Sequence, residues 1–248
     1  MRMEILFQGF PGKLTAGYMQ WSAIVYVESG GKKILFDTGG PVRRYDILPR
    51  LAEYGAAPED IDIVAISHFH NDHIHNYDYF TRAKFLLHKE EMAYALAGGD
   101  GWTPRTFFKD LQESGKLFLV DEGDEITKGV TIMHTPGHTP GCMSALLTGP
   151  DFPDTVLAGD AVKNMAELAS GKAAASIDQA ATAKSILKVR SAAKRVVPGH
   201  DRLLSVEKDR IVALRPARET IVVPPGVVGE NERRLELTLE ITAAPISG

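Results

Sequence analysis

Apolar and polar residues change period repeatedly along this chain, and each change marks a new element. Runs of β-branched and apolar residues in "SAIVYVES" and "KKILFDTGG" flank Gly30-Gly31, a dipeptide that accepts positive φ, so a β-hairpin is predicted there. "RYDILPRLAEYG" has helical spacing despite Pro49 and stops at Gly55, and "IDIVAIS" then reads as a short buried strand. "KFLLH" (84–88) repeats the strand signal, and "KEEMAYALAGG" follows as a helix closed by glycines. The second half continues with a helical stretch around "TPRTFFKDLQESG" and strands at "KLFLV", "GVTIMHT", "CMSALLT" and "TVLAGD". A helix at "DQAATAKSILKVRSAAK" leads into the strand "RVVPGHD". Strands and helices alternate without repeats or low-complexity tracts, which predicts an α/β fold. Residues 1–248 are expected to form a single domain, with 202–248 a strand-rich C-terminal extension too short to stand alone.

Composition narrows the class. A 44% hydrophobic content in 248 residues is enough for a sizeable core. The net charge of -4 provides no broad basic field, so no nucleic-acid partner is expected. Cys142 is the one cysteine, which excludes an intrachain disulfide and a thiolate-rich zinc site. No apolar run approaches the roughly 20 residues of a membrane span, and "MRMEILFQGF" lacks an apolar signal core, so a cytoplasmic protein with no membrane partner is expected. The segment "EILFQGF" is similar to a protease site used in expression vectors, but it runs on into strand-like sequence and is read as native.

Histidine and aspartate gather where strands end. "SHFHNDHIH" (67–75) follows the strand "IDIVAI" directly. Residues two apart share a face only in extended chain, so His68 and His70 can meet one cation if the strand geometry persists. Asp72 and His73 then fall at a turn into a short helix, where they can point at a second cation. With 8 His and 16 Asp in the chain, a chance H-x-H-x-D-H has a probability on the order of 10⁻³. "TPGHTPG" adds His138, "LAGD" adds Asp160 and "VPGHD" adds His200.

In this order the residues closely resemble the metallo-β-lactamase-fold hydrolase superfamily, from the "FDTGG" of residues 36–40 to about residue 201. The resemblance implies a four-layer αβ/βα sandwich with two mixed β-sheets. It implies that His68, His70 and His138 hold one metal, that Asp72, His73 and His200 hold the other, and that Asp160 bridges both. Asp72 is also the candidate catalytic residue. The implied cofactors are two divalent ions, zinc foremost, with iron or manganese as alternatives. Two such ions about 3.5–4 Å apart can clamp a hydroxide between them. Two dications set against Asp72, Asp160 and that hydroxide leave a net positive centre, which favours a carbonyl or anionic oxygen. Asp37 matches a family aspartate that would orient a ligand histidine, and it can also cap the adjacent glycine turn.

The remaining candidates are weaker. His75 has no place in the family pattern, His88 and His134 read as structural, and Cys142 reads as a small core residue. Lys163 and Asn164 follow the bridging aspartate and are candidates for binding a substrate carboxylate or phosphate. The glyoxalase II branch shares "TPGHT" but has a helical carboxy-terminal region unlike this tail. Acyl-homoserine-lactone lactonases share the final "GHD" yet place a tyrosine shortly after the bridging aspartate, and no tyrosine follows Asp160 here. The implied activity is hydrolysis of a small ester, thioester or lactone-type substrate. The alternatives are an iron-dependent persulfide dioxygenase and a phosphodiesterase of the same superfamily. The loop "GGDGWTPRTFF" (98–108) reads equally as a lid and as a surface loop anchored by aromatics, and that loop and the tail are the candidate surfaces for a homodimer.

Overall fold

The computed structural model describes residues 1–15, 17–173, 175–208, 210–225, 235–241 and 246–247. The chain opens with β1 (Arg2–Phe7), a short hairpin of β2 (Lys13–Leu14) and β3 (Gly17–Tyr18), then β4 (Ile24–Ser29) and β5 (Lys32–Phe36). Gly30 and Gly31 take φ of 57° and 74°, so the two-residue turn that they alone accept without strain sets Ser29 opposite Lys32. The segment "EILFQGF" contributes to β1, which pairs with β4 from Arg2 to Phe7.

Next come α1 (Ile47–Ala52), β6 (Ile63–Ala65), α2 (Asn71–Ile74), β7 (Lys84–His88), α3 (Lys89–Leu96), α4 (Arg105–Glu113) and β8 (Leu117–Val120). The helix expected over 44–55 forms only at Ile47–Ala52, which places Pro49 in its first turn, where a missing N–H breaks no helical hydrogen bond. The first sheet has the order β1-β4-β5-β6-β7-β8, antiparallel among its first three strands and parallel from β5 to β8.

A second sheet follows from β9 (Glu125–Thr127), β10 (Val130–His134), β11 (Met143–Gly149), β12 (Phe152–Gly159) and, after α5 (Met165–Ser170) and α6 (Gln179–Ala192), β13 (Arg195–Pro198). β14 (Leu204–Val206) and β15 (Arg210–Ala213) continue this sheet, so the start of the expected extension is part of the sandwich. β16 (Ala217–Val223) and β17 (Leu235–Ile241) pair with each other as a separate ribbon, and β18 (Ile246–Ser247) returns to β15. The second sheet is also mixed, with β12 and β13 parallel.

Strand alternation sorts the apolar side chains into layers. Val25, Val27, Phe36 and Ala65 meet Ile132, Ala145, Leu157 and Val197 between the sheets. Their neighbours Ile24, Tyr26, Leu35 and Val64 point outward and pack with Ile47, Leu51, Phe108 and Leu111 of the first helical layer. Val156, Ala158 and Val196 do the same against Leu168, Ile186 and Val189 of α5 and α6. The result is an α/β fold of four layers. Each fully buried side chain of this size contributes about 1.5–3 kcal/mol, against about 0–1 kcal/mol for a surface ion pair, so these three cores dominate its stability. Among the described residues no helix is long and apolar enough to cross a membrane.

The parallel strands converge on one rim. β5 runs into Asp37, β6 into Ser67 and His68, β12 into Asp160 and β13 into His200. Carboxyl ends of parallel strands release the chain into loops while the sheet holds those loops still, which is the usual place for a site.

Candidate metal centre

The rim is anchored by Asp37, the one non-glycine residue with positive φ (61°) among the described residues. That left-handed backbone costs on the order of 1 kcal/mol. It aims the carboxylate at three donors: Ser67 N at 2.7 Å, Ser67 Oγ at 2.8 Å and His73 Nδ1 at 2.8 Å. The chain bends at Ser67 and His68 rather than continuing as a strand and is extended again at His70; fully buried Phe69 packs into the helical-side core, and the His68 and His70 rings meet at 4.4 Å. α2 begins at Asn71, and its first turn presents Asp72 and His73. His138 comes from the β10–β11 loop.

The hydrogen bonds fix the histidine tautomers. His73 Nδ1 faces Asp37, His200 Nδ1 lies 3.0 Å from the Trp21 carbonyl, His138 Nδ1 lies 3.2 Å from the Ala175 carbonyl, and His70 Nε2 lies 3.1 Å from Asp100 Oδ2. Each partner is an acceptor, so the proton of each ring sits on that outer nitrogen. Ser67 Oγ donates to Asp37, which leaves it to accept from His68 Nδ1 at 3.1 Å. All five rings therefore turn their other nitrogen inward, where a neutral ring offers a lone pair. His70 Nδ1 and His138 Nε2 sit 3.2 Å apart with no proton between them, and His68 Nε2 is buried without a hydrogen-bond partner among the described residues. Inward lone pairs that close repel unless a cation lies among them, so the donor set fits a metal.

Three overlapping three-donor groups result, with His68, His73 and Asp160 forming the one that joins the other two. The donor atoms of His68, His70 and His138 lie within 4.8 Å of one another, as do those of Asp72, His73 and His200. Asp160 stands between these two. Its Oδ2 lies 3.3 Å from His138 Nε2, and its Oδ1 lies 3.3 Å from His73 Nε2 and 3.2 Å from His200 Nε2. The charge balance follows. Burial lowers His68 well below the ordinary histidine range and brings His138 to about 4. At His73 and His200 burial works the same way, but Asp160 and Asp72 outweigh it and raise both. Burial opposes ionisation of Asp160, yet His200, His73 and His138 hold it well below the carboxylate range. The pocket above the rim holds about 260 Å³ and is lined also by Lys13, Tyr18, Gln20 and Trp102. A larger cleft of about 780 Å³ opens at the other ends of the strands, around Ile63, Leu86 and Phe118, and no histidine lines it.

The other sequence candidates lie as follows. His75 bonds Asn71 Oδ1 at 3.1 Å, outside all three donor groups. His88 caps α3 by accepting from Glu90 N and stacks on His134, whose Nε2 lies 2.9 Å from the Pro140 carbonyl. Cys142 is fully buried. Lys163 and Asn164 line the pocket, but Lys163 Nζ already meets Glu167 Oε1 at 3.2 Å and the Ala175 carbonyl at 3.1 Å, and the Asn164 side chain caps α5. Segment 98–108 is pinned rather than free: Asp100 holds His70, the Trp102 carbonyl accepts from Asn71 N at 3.0 Å, and α4 takes up its last four residues. Sequence reasoning missed Asp100 and the buried Glu91, since a single acid in "GGDGW" or an acidic pair in "HKEEM" carries no pattern.

Comparison with known proteins identifies the family and the fold. Residues 21–200 match the model of the metallo-beta-lactamase superfamily. Metallo-beta-lactamase domain-containing protein 1 of Homo sapiens is 34% identical over 174 residues, covering 70% of this chain and 59% of that protein. The chain spans 59% to 65% of the length of the vertebrate relatives of that name. The crystal structure of tm0894 from Thermotoga maritima superposes with a TM-score of 0.67 at 23% identity, covering 82% of this chain and 98% of that one. AidC, a dizinc quorum-quenching lactonase, superposes with a TM-score of 0.63 at 20% identity over 77% of this chain and 78% of its own. Since the family match takes in the rim from Trp21 to His200, every strand exit that supplies a donor included, the chain belongs to the metallo-beta-lactamase superfamily.

Proposed function

We propose that this chain is a metal-dependent hydrolase that holds two divalent ions, zinc foremost, and cleaves a small ester, thioester or lactone. The observation that carries this reading is the position of Asp160, which turns a different oxygen toward each donor group. His68, His70 and His138 would hold one ion, Asp72, His73 and His200 the other, and Asp160 both. When bound, such ions supply a nucleophile from water near neutral pH and polarise a substrate carbonyl.

The chain's own groups supply the rest. Asp37, Asp100 and the Trp21 and Ala175 carbonyls keep the imidazoles in the donor tautomer. Asp72 Oδ2, 3.5 Å from both His200 Nε2 and Gln20 Nε2 and partly open to the pocket, is placed to take a proton and return it. Trp102 and Tyr18 meet edge to face at 5.0 Å and give the pocket an exposed aromatic wall for an apolar part of the substrate. Lys163 also lines the pocket, as an ion pair with Glu167, and would meet an anionic group on the substrate only by leaving that pair. A volume of about 260 Å³ favours small acyl compounds over polymers, and the fold is shared with a protein described as a dizinc lactonase in complex with N-hexnoyl-L-homoserine.

The test combines elemental analysis with a substrate panel of acyl thioesters, lactones, a chromogenic phosphodiester, a cephalosporin, and glutathione persulfide over an oxygen electrode. Close to two ions per chain and turnover of the carbonyl substrates are expected. Turnover of the phosphodiester alone, or oxygen uptake by an iron-loaded form alone, would replace this reading with the corresponding alternative.

A further inference from the structure

Glu91, in the first turn of α3, is fully buried, and among the described residues no lysine or arginine pairs with it. Enclosing a carboxylate without a counter-charge costs several kcal/mol, so a neutral residue of the same size would be the cheaper filling. What the carboxylate adds is acceptor capacity. Its Oε1 accepts from Phe69 N at 2.8 Å, and its Oε2 accepts from Thr139 Oγ1 at 2.6 Å and Gly141 N at 3.1 Å. Phe69 lies between His68 and His70, and Thr139 follows His138. One side chain thus ties together the two loops that carry the whole three-histidine group, and it touches neither Asp72, His73 nor His200.

We infer that Glu91 is a positioning residue that sets the spacing of His68, His70 and His138 and thereby the affinity of that half of the centre for its ion. The inference rests on the two-ion reading above. A glutamine keeps the shape but offers a single acceptor oxygen, and its amide N–H groups would face Gly141 N–H. The two loops would then be held by fewer bonds, and the three inward lone pairs would no longer converge. The Asp72, His73 and His200 group is held by Asp37 and the Trp21 carbonyl and keeps its geometry.

The experiment titrates metal-free protein with cobalt(II) and follows visible absorption, alongside the melting temperature of the metal-free form. Wild type, Glu91→Gln and Thr139→Val are compared, with His138→Ala identifying the band of the three-histidine group by its loss. Glu91→Gln should weaken that band's affinity by about 10–100-fold while the other ion binds within about twofold of wild type, as expected for loss of an outer partner. Thr139→Val, which removes one arm and leaves Glu91 in place, should shift the same band by a smaller factor and carries the test if Glu91→Gln does not fold. Unchanged affinity for both ions in the variant that folds would overturn the inference. So would parallel weakening of both ions with a lower melting temperature, since Glu91 would then serve only general stability. Wild type that takes up fewer than two cobalt ions would instead overturn the two-ion reading, and the inference with it.

Discussion

At the scale of single residues, Asp160 and His75 separate the donor set from its surroundings. Asp160→Asn keeps the shape but removes a charge and the symmetry of the two oxygens, so metal content should fall by about one ion per chain. Activity should fall by more than the roughly 10–100-fold that losing an orienting partner costs. His75→Ala, which breaks only a bond to Asn71, should leave both within about twofold of wild type. Elemental analysis and kcat on the best panel substrate check the pair, and equal effects would contradict the arrangement. The seven candidate donors were legible in the sequence because four fall in the one motif after β6, and His138, Asp160 and His200 each lie in a short motif after a strand. Asp37 was legible for the same reason. Asp100 and Glu91 were not, because their roles depend on which loops the finished fold brings beside them. Lys163 and Asn164 were read from their place after Asp160, and no sequence pattern announced the ion pair and the helix cap that occupy them.

Elements position these residues through close backbone approach and through groups outside the centre. A Cβ on Gly199 would lie 2.2 Å from Asp160 Oδ1 and 2.8 Å from the Gly159 carbonyl, so β13 can deliver His200 beside β12 only with glycine there. Gly199→Ala should therefore cost about 1–3 kcal/mol of stability and displace Asp160, seen as a lower melting temperature together with reduced metal content. The contact between the end of β7 and the end of β10 is sensitive to pH. Burial, with the His134 ring face to face at 3.9 Å, holds His88 below the ordinary histidine range, while Asp121 and Glu90 pull the other way. With the folded value depressed, the unfolded chain takes up a proton near about pH 6.5 where the folded chain does not, so this contribution is intact above that pH and lost below it. His88→Asn should flatten the fall in melting temperature of metal-loaded protein between about pH 7.5 and about pH 5.5, and an unchanged slope would count against the assignment. Most elements were readable from periodicity, including the Gly30-Gly31 hairpin. The short β9 and α5 were not, since three residues of strand and six of helix each hold less than two of their own periods.

For the molecule as a whole, ions bound to the folded state alone add stability by mass action, about 4 kcal/mol at a thousandfold excess over Kd. Strong chelators should lower the melting temperature by about 10 °C, reversibly on return of zinc, as measured by scanning calorimetry. The four-layer arrangement followed from family likeness rather than from periodicity, because local patterns do not say which sheet a strand joins. The chain writes the first sheet from Arg2 to Val120 and begins the second at Glu125. His68, His70, Asp72 and His73 come from the first stretch, and His138, Asp160 and His200 from the second, so each donor group straddles the seam. The pair of ions would then work as a latch between two separately written halves that also meet through the apolar layer between the sheets and through bonds such as Met143 N to the Ser67 carbonyl at 2.8 Å and Ala23 N to the Gly199 carbonyl at 2.7 Å. Cut between Glu122 and Gly123, the chain would become two pieces whose partnership is tightened by free zinc, co-eluting at lower concentration when it is supplied than when it is withdrawn.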